Sequence, residues 1–182
     1  MKLFKDNQNG FTLLEVLITV LIMSIGLLGL AGLQVTSLKN NHSSYQRTQV
    51  TLLAYDIVDR MRANTIAIAT GNYVAKGGYT VSYSGGTHVI SAPAATAGCT
   101  TTTGCSIAAM ASTDINQWRV MLANELPGGV GVICLDSTPD DGSNATTHGC
   151  DDAGTVYAIK VWWNDDKDAA GTLKRFVLRY KS

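Results

Sequence analysis

NGFTLLEVLITVLIMSIGLLGLAGLQ, Asn9 to Gln34, is the stretch on which the reading of the whole chain turns. From Phe11 to Leu33 nearly every position is apolar or small, which is long enough for one helix to cross a bilayer. The run carries a single formal charge, Glu15. A carboxylate at the bilayer centre costs roughly 2.5–3.5 kcal/mol on the insertion scale, and less near the interface. Glu15 stands four residues past Phe11, in the first turn or so of the span. That placement lowers the penalty without removing it, and an intramembrane carboxylate points to function.

The run also starts in an unusual way. Gly10 directly precedes Phe11, behind a polar leader, MKLFKDNQNG, that holds Lys2 and Lys5. A secretory signal is cut after its apolar run, at small residues in an A-x-A-like pattern. Here that region reads GLLGLAGLQ, without an A-x-A; LAGL resembles a lipoprotein box, but Leu33 stands where the cysteine belongs. The marked junction is Gly10–Phe11, in front of the run. Cleavage there would remove the leader, keep the helix and create a new amino group beside the bilayer.

At these residues, G-F-T-L-L-E-V from Gly10 to Val16, the chain resembles the class III signal of type IV pilins and type II secretion pseudopilins. The resemblance implies a membrane-embedded prepilin peptidase that cuts after Gly10 and N-methylates Phe11, with Glu15 the glutamate of subunit docking. ITVLIMSIGLLGLAGLQ and the later W-x-x-x-L-x-x-x-LPGG segment, Trp118 to Gly129, look most like PilV-type minor pilins. The other reading is a plain signal anchor for a periplasmic domain, with Glu15 a tolerated interfacial carboxylate.

A chain of 182 residues accommodates one membrane helix and one compact domain with its own core. Formal net charge is zero, so nucleic-acid binding by global charge is not indicated. Eighteen Gly, three Pro and many Thr, Ser and Ala suit a loop-rich β domain outside the cytoplasm. The four Cys all follow residue 98, as expected of a domain exported to an oxidising compartment. Lys2 and Lys5 precede the helix and fewer positive charges follow closely, which keeps the leader cytoplasmic and the remainder periplasmic.

No breaker ends the helix at Leu33. From Gln34 the pattern turns amphipathic, with Val35, Leu38, His42 and Tyr45 on one stripe. Val50, Leu53, Ile57 and Met61, with Ala54 and Val58, then recur at helical spacing. Arg60, Arg62 and Asn64 suit a helix C-terminus. One helix from about Thr12 to Asn64 follows, apolar all round in its first half and striped for packing on a head in its second. Gly26, Gly29 and Gly32 allow close helix approach in a membrane, or are ordinary transmembrane glycines. His42 on an apolar stripe reads as packed or interfacial, and His88 and His148 lack a second His at metal spacing.

Beyond Asn64, Tyr79–Ser84 and Thr87–Ser91 flank Gly85-Gly86 as a short hairpin. A low-complexity Ala/Thr/Gly loop bearing Cys99 and Cys105 follows. A second helix is expected in STDINQWRVMLANELPGG, capped by Ser112 or Thr113, with Asp114 in its first turn. Ile115, Trp118, Leu122 and Leu126 form its apolar stripe and Pro127-Gly128-Gly129 stops it. Strands are expected over Gly129–Leu135, Thr155–Asn164 and Thr172–Tyr180. In the middle one Tyr157, Ile159, Val161 and Trp163 alternate with Val156, Ala158, Lys160 and Trp162. The expected class is α+β, a long N-terminal helix on a small antiparallel sheet, which is the layout the resemblance implies. Its parts are a cleaved leader, 1–10, a transmembrane half-helix, 11–33, an amphipathic half, 34–64, and a periplasmic head, 65–182.

Four cysteines permit three pairings, and spacing favours Cys99–Cys105 and Cys134–Cys150. The second would resemble the C-terminal disulfide loop of pilins. Free or zinc-bound cysteines are the alternative, without a C-x2-C pair to support them. The loop after Cys134 holds Asp136, Asp140 and Asp141, with Asp151 and Asp152 just beyond, and no Lys or Arg. Calcium is one reading of such a loop, but counting back from Gly142 puts Ser137 and Pro139 in ligand positions. A solvated acidic loop is expected instead, with no metal and no cofactor. No nucleophile elbow, phosphate loop or metal-protease helix appears, so the chain reads as an enzyme's substrate rather than an enzyme.

The function that follows is a minor pilin, a structural subunit of the type IV pilus engaged in assembly or its initiation. Its implied partners are the prepilin peptidase, other minor pilins, the major pilin and the inner-membrane assembly platform. It would reside in the inner membrane as a single-pass protein before entering the pilus at the cell surface. The alternatives are a type II secretion pseudopilin and a membrane-anchored periplasmic binding module with the acidic loop as its ligand surface.

Overall fold

In the computed structural model the described residues are 12–75, 81–84, 87–90, 99, 101, 104–165 and 173–181. Helix α1, Leu13–Ala63, is continuous. Thr12 opens it, its hydroxyl and carbonyl oxygens both accepting from Glu15 N. Within the apolar stretch the hydroxyls of Thr19 and Ser24 donate to the carbonyls of Val16 and Val20, which satisfies them without water.

The chain forms two compact units, 1–43 and 44–182, and the division falls inside α1. In the first unit every described residue through His42 is exposed. In the second, Gln46, Val50, Leu53, Ala54, Ile57, Val58 and Met61 are buried. The later apolar stripe is therefore the packed one, whereas Val35, Leu38 and Tyr45 remain exposed. At 100° per residue Leu38 and Tyr45 lie well off the line that Val50 and Ile57 bury.

A short helix, α2, covers Thr65–Ala69. Strands β1, Val81–Ser84, and β2, Thr87–Ile90, pair antiparallel with Ser84 opposite Thr87, the hairpin expected around the two glycines. Helix α3, Ile107–Glu125, begins earlier than the sequence suggested. Its N-cap is Ser106, whose side chain accepts from Ala109 N at 3.2 Å. Ser112 and Thr113 are interior residues, with hydroxyls donating to Ala108 O and Ala109 O. The alanine-rich IAAMA segment has high helix propensity and extends the helix backwards past those two candidate caps. Asp114, expected in the first turn, is instead buried and accepts from Tyr73 OH at 2.6 Å.

Strands β3, Val130–Leu135, β4, Val156–Asn164, and β5, Leu173–Lys181, form an antiparallel sheet in the order β3-β4-β5. The fold is α+β, with the second half of α1 and α3 covering one sheet face. Ile57, Met61, Trp118, Leu122, Ile159 and Val161 lie at the centre of that core. Its buried donors find partners across the layers: Trp118 Nε1 donates to Leu53 O at 2.9 Å and Tyr157 OH to Ile68 O at 2.8 Å. Desolvation raises the Tyr157 hydroxyl pKa, in keeping with a neutral donor. The opposite sheet face is covered as well. Val132, Cys134, Ala158 and Trp162 form a smaller buried cluster there with Ala145 and Cys150.

The period-2 pattern of β4 thus serves two cores rather than a core and solvent. β3 approaches α3 closely at Gly131, where an added Cβ would stand 2.3 Å from Trp118 Cη2 and 2.5 Å from Leu122 Cδ1. Gly131→Ala should therefore lower stability by about 1–3 kcal/mol, the usual cost of overpacking. Thermal melting of the full chain in detergent checks this; an unchanged midpoint would mean the Trp118 ring has room to move.

Candidate assembly helix and bridged loop

α1 is long and apolar enough to cross a membrane, and its best window has a mean hydropathy of 2.5 with no residue buried. Glu15 lies in its first turn, where the helix dipole favours a negative charge. Gly10 and Phe11, the expected cleavage and methylation positions, lie outside the described residues. Beyond the helix's own adjacent backbone, nothing stands within 4 Å of a Cβ built at Gly26, Gly29 or Gly32, so these positions are open to a close neighbour.

Both spacing-favoured disulfides are present. Cys99 pairs with Cys105, and Cys134, near the end of β3, pairs with Cys150 across a Cα separation of 6.1 Å. In the chain-entropy model a loop of this second size contributes about 3 kcal/mol.

As its composition suggested, the acidic loop keeps Asp140, Asp141, Asp151 and Asp152 exposed, but it buries Asp136. It folds over the outer face of the sheet around Lys160, which rises from the middle of β4 and is fully buried. Lys160 Nζ lies 2.6 Å from Asp136 Oδ2 and 2.7 Å from Asp141 Oδ1. It also donates to His148 O at 2.8 Å and Asp141 O at 3.3 Å. Asp136 is itself buried, and its other oxygen accepts from Thr138 N at 2.9 Å. The point where these carboxylates converge thus holds the protein's own cation, which would repel calcium.

Sequence reading missed Lys160 because the loop contains no basic residue and β4 was read by periodicity alone. The available signal was a lysine alternating with Ala158 and Trp162 in an otherwise apolar strand. Gly149 makes the approach feasible: it has φ +74, and a Cβ there would stand 2.2 Å from Asp141 Oδ1. His148 is committed locally as well, its Nδ1 accepting from Cys150 N at 3.0 Å. His42 is exposed.

β5 reaches the same loop. Arg175 donates to the carbonyls of Asp140 and Gly142, and Arg179 pairs with the Asp140 carboxylate. At the loop's far end Asp151 accepts from Ser137 Oγ, from Ala153 N at 2.9 Å and from Ser137 N at 3.1 Å. The Ser137 hydroxyl, helped by those two amides, holds the Asp151 carboxyl at about 2. The hydrogen bond from Lys160 likewise lowers the Asp141 pKa.

Residues 5–31 match the family model of the prokaryotic N-terminal methylation motif, and residues 32–116 match that of type IV pilin Tt1218. The chain belongs to the type IV pilins. No curated protein and no solved structure matches it. The methylation motif covers the exposed apolar half of the pilin's α1, and the second match runs through the packed half into α3. The sheet and its bridged loop lie beyond both matches, so this part of the pilin is described by its own chemistry alone. Type IV pilins are structural proteins.

Two outcomes are expected of the loop. Lys160→Met should lower stability by about 3–5 kcal/mol, because Asp136 is left charged, buried and unpaired. Adding Asp136→Leu should restore part of the loss; denaturant titration of the two variants measures both effects. The second outcome concerns acid. Asp151 titrates at about 2 in the folded pilin against 3.8 in a free chain. Its contribution is complete above the unfolded value and is lost as pH falls through the folded one, and Asp141 acts in the same direction. The melting temperature should therefore fall between about pH 4 and pH 2, less steeply in Asp151→Asn. Superimposed pH profiles for that variant and the parent would refute the assignment.

Proposed function

We infer that this pilin is a minor pilin of the PilV type, a subunit that takes part in assembling the type IV pilus rather than forming its bulk. Prepilin peptidase cuts after Gly10 and methylates Phe11, removing the leader, 1–10. The span 11–33 then holds the subunit in the inner membrane, with the amphipathic half, 34–64, and the head, 65–182, in the periplasm. Lys2 and Lys5 on the leader support that orientation. The assembly platform, the major pilin and other minor pilins are its partners, and the pilus at the cell surface is its destination. The Trp118–Gly129 segment and a head with two disulfides support the minor-pilin reading.

One observation carries the proposal: Glu15 is the single carboxylate of α1 between Leu13 and His42, a stretch in which every residue is exposed. In lipid Glu15 sits near one interface, within reach of water and headgroups. Among packed apolar helices an unpaired carboxylate is far costlier, and the amine created at Phe11 of a neighbouring subunit supplies the opposite charge. Removing one partner of such a pair costs about 3–5 kcal/mol, which corresponds to a hundredfold or more in incorporation.

Glu15→Leu should accordingly be cleaved and membrane-bound yet nearly absent from sheared pili. Mass spectrometry of the mature N-terminus should find methylated Phe11 in both parent and variant. Normal incorporation of Glu15→Leu would overturn the pairing, and an intact Met1 would overturn the processing.

A further inference from the structure

Strand β5 differs from its neighbours in the sheet. Each of β3 and β4 contains a run of buried residues, whereas no residue of β5 is fully buried. Among the described residues β5 pairs only with β4 and ends the sheet. Alternate N–H and C=O groups of such a strand point away from its partner and are open to another chain.

The two faces of β5 differ chemically. Phe176, Leu178 and Tyr180 lie on the face toward α1 and are packed against the main core while only half-buried. Arg62 of α1 stacks over the Tyr180 ring at 5.4 Å, and half-exposed Tyr55 lies two turns back on the same helix flank. Tyr55, Phe176, Leu178 and Tyr180 thus leave partly exposed apolar surface beside the sheet edge. Arg175, Arg179 and Lys181 lie on the other face of β5 and are exposed, Arg175 and Arg179 while also holding the loop at Asp140 and Gly142. Counting Lys174, the strand holds four basic residues and no acidic one.

These charges also decide what does not bind. Two copies of β5 paired antiparallel about Val177 would set Arg175 opposite Arg179 twice, and like charges directly opposite are destabilising. The edge is guarded against its own kind in the way that natural edge strands commonly are.

We propose that the edge of β5 is a docking edge for one extended segment of a different protein chain, whose residues alternate between apolar and acidic. The added strand hydrogen-bonds to the open backbone of β5 and so becomes the fourth strand of the sheet. Its apolar side chains cover the exposed parts of Phe176, Leu178 and Tyr180. Its carboxylates stand beside Lys181 and beside Arg175 and Arg179, which keep their contacts with the Asp140 loop, and cross-strand pairs of opposite charge are favourable there. This edge lies in the unit formed by residues 44–182 and its role does not depend on Glu15 or on processing.

The test uses the purified full chain in detergent micelles and three labelled synthetic peptides. One alternates valine and glutamate, one alternates valine and lysine, and one has valines and glutamates in two separate blocks. Fluorescence anisotropy should show the alternating acidic peptide binding at least tenfold tighter than either control. Hydrogen exchange should slow in Leu173–Lys181 when it binds. Lys181→Glu, at an exposed position that leaves the fold intact, should weaken the acidic peptide several-fold and leave the thermal midpoint unchanged. Equal binding of the two acidic peptides would reduce the effect to diffuse charge and overturn the proposal. Protection confined to segments other than β5, or no binding at all, would overturn it equally.

Discussion

Lys160 brings a positive charge into a part of the molecule from which water is excluded, and the outer layer of the head is arranged to answer it. Two carboxylates and two carbonyls converge on its Nζ, and all of them belong to the loop that Cys134 and Cys150 close. A buried pair of this kind is weak evidence for net stability, since desolvation consumes much of the attraction. Its stronger consequence here is register. An apolar residue at Lys160 would accept many loop conformations, whereas the ammonium accepts those that bring Asp136 and Asp141 to it together. The disulfide limits how far the loop can travel, and Lys160 selects where it rests. Arg175 and Arg179 add contacts from β5, so the loop is fastened to two strands.

The second constraint is that α1 is one helix with two kinds of surface. As far as His42 it is exposed, and from Leu13 to Leu33 it is almost wholly apolar, which is stable in lipid or among other helices and not in water. From Gln46 it has a buried stripe that forms part of the head's own core. A subunit of this kind can leave the bilayer without refolding, because its head does not depend on the part that changes surroundings. The hydroxyls of Thr19 and Ser24 are satisfied inside the helix and make no demand on either environment. Glu15 does make such a demand, and it is the residue on which the proposed assembly chemistry rests.

Much of this pilin was legible from local pattern. The apolar run, the buried stripe Val50–Leu53–Ile57–Met61, the three strands of the sheet and both disulfides follow from periodicity and spacing. These features depend on neighbours close in the chain or on a repeat that one helix or strand displays by itself. The start of α3 was misplaced for a related reason. Ser106, Ser112 and Thr113 can all cap, and the choice rested on the helix propensity of the residues between them.

The sequence by itself determined an apolar helix headed by one carboxylate behind a Gly–Phe junction, because composition and register there leave few alternatives. It also determined that β4 alternates. What lay over each face of that strand was decided only by the tertiary structure. Asp136 reads as a solvated residue, yet it is buried against β4, beside the exposed Asp141, by a lysine that lies beyond the second cysteine of their loop. The energy of a buried charge depends on every group around it, and those groups came together only when the chain folded.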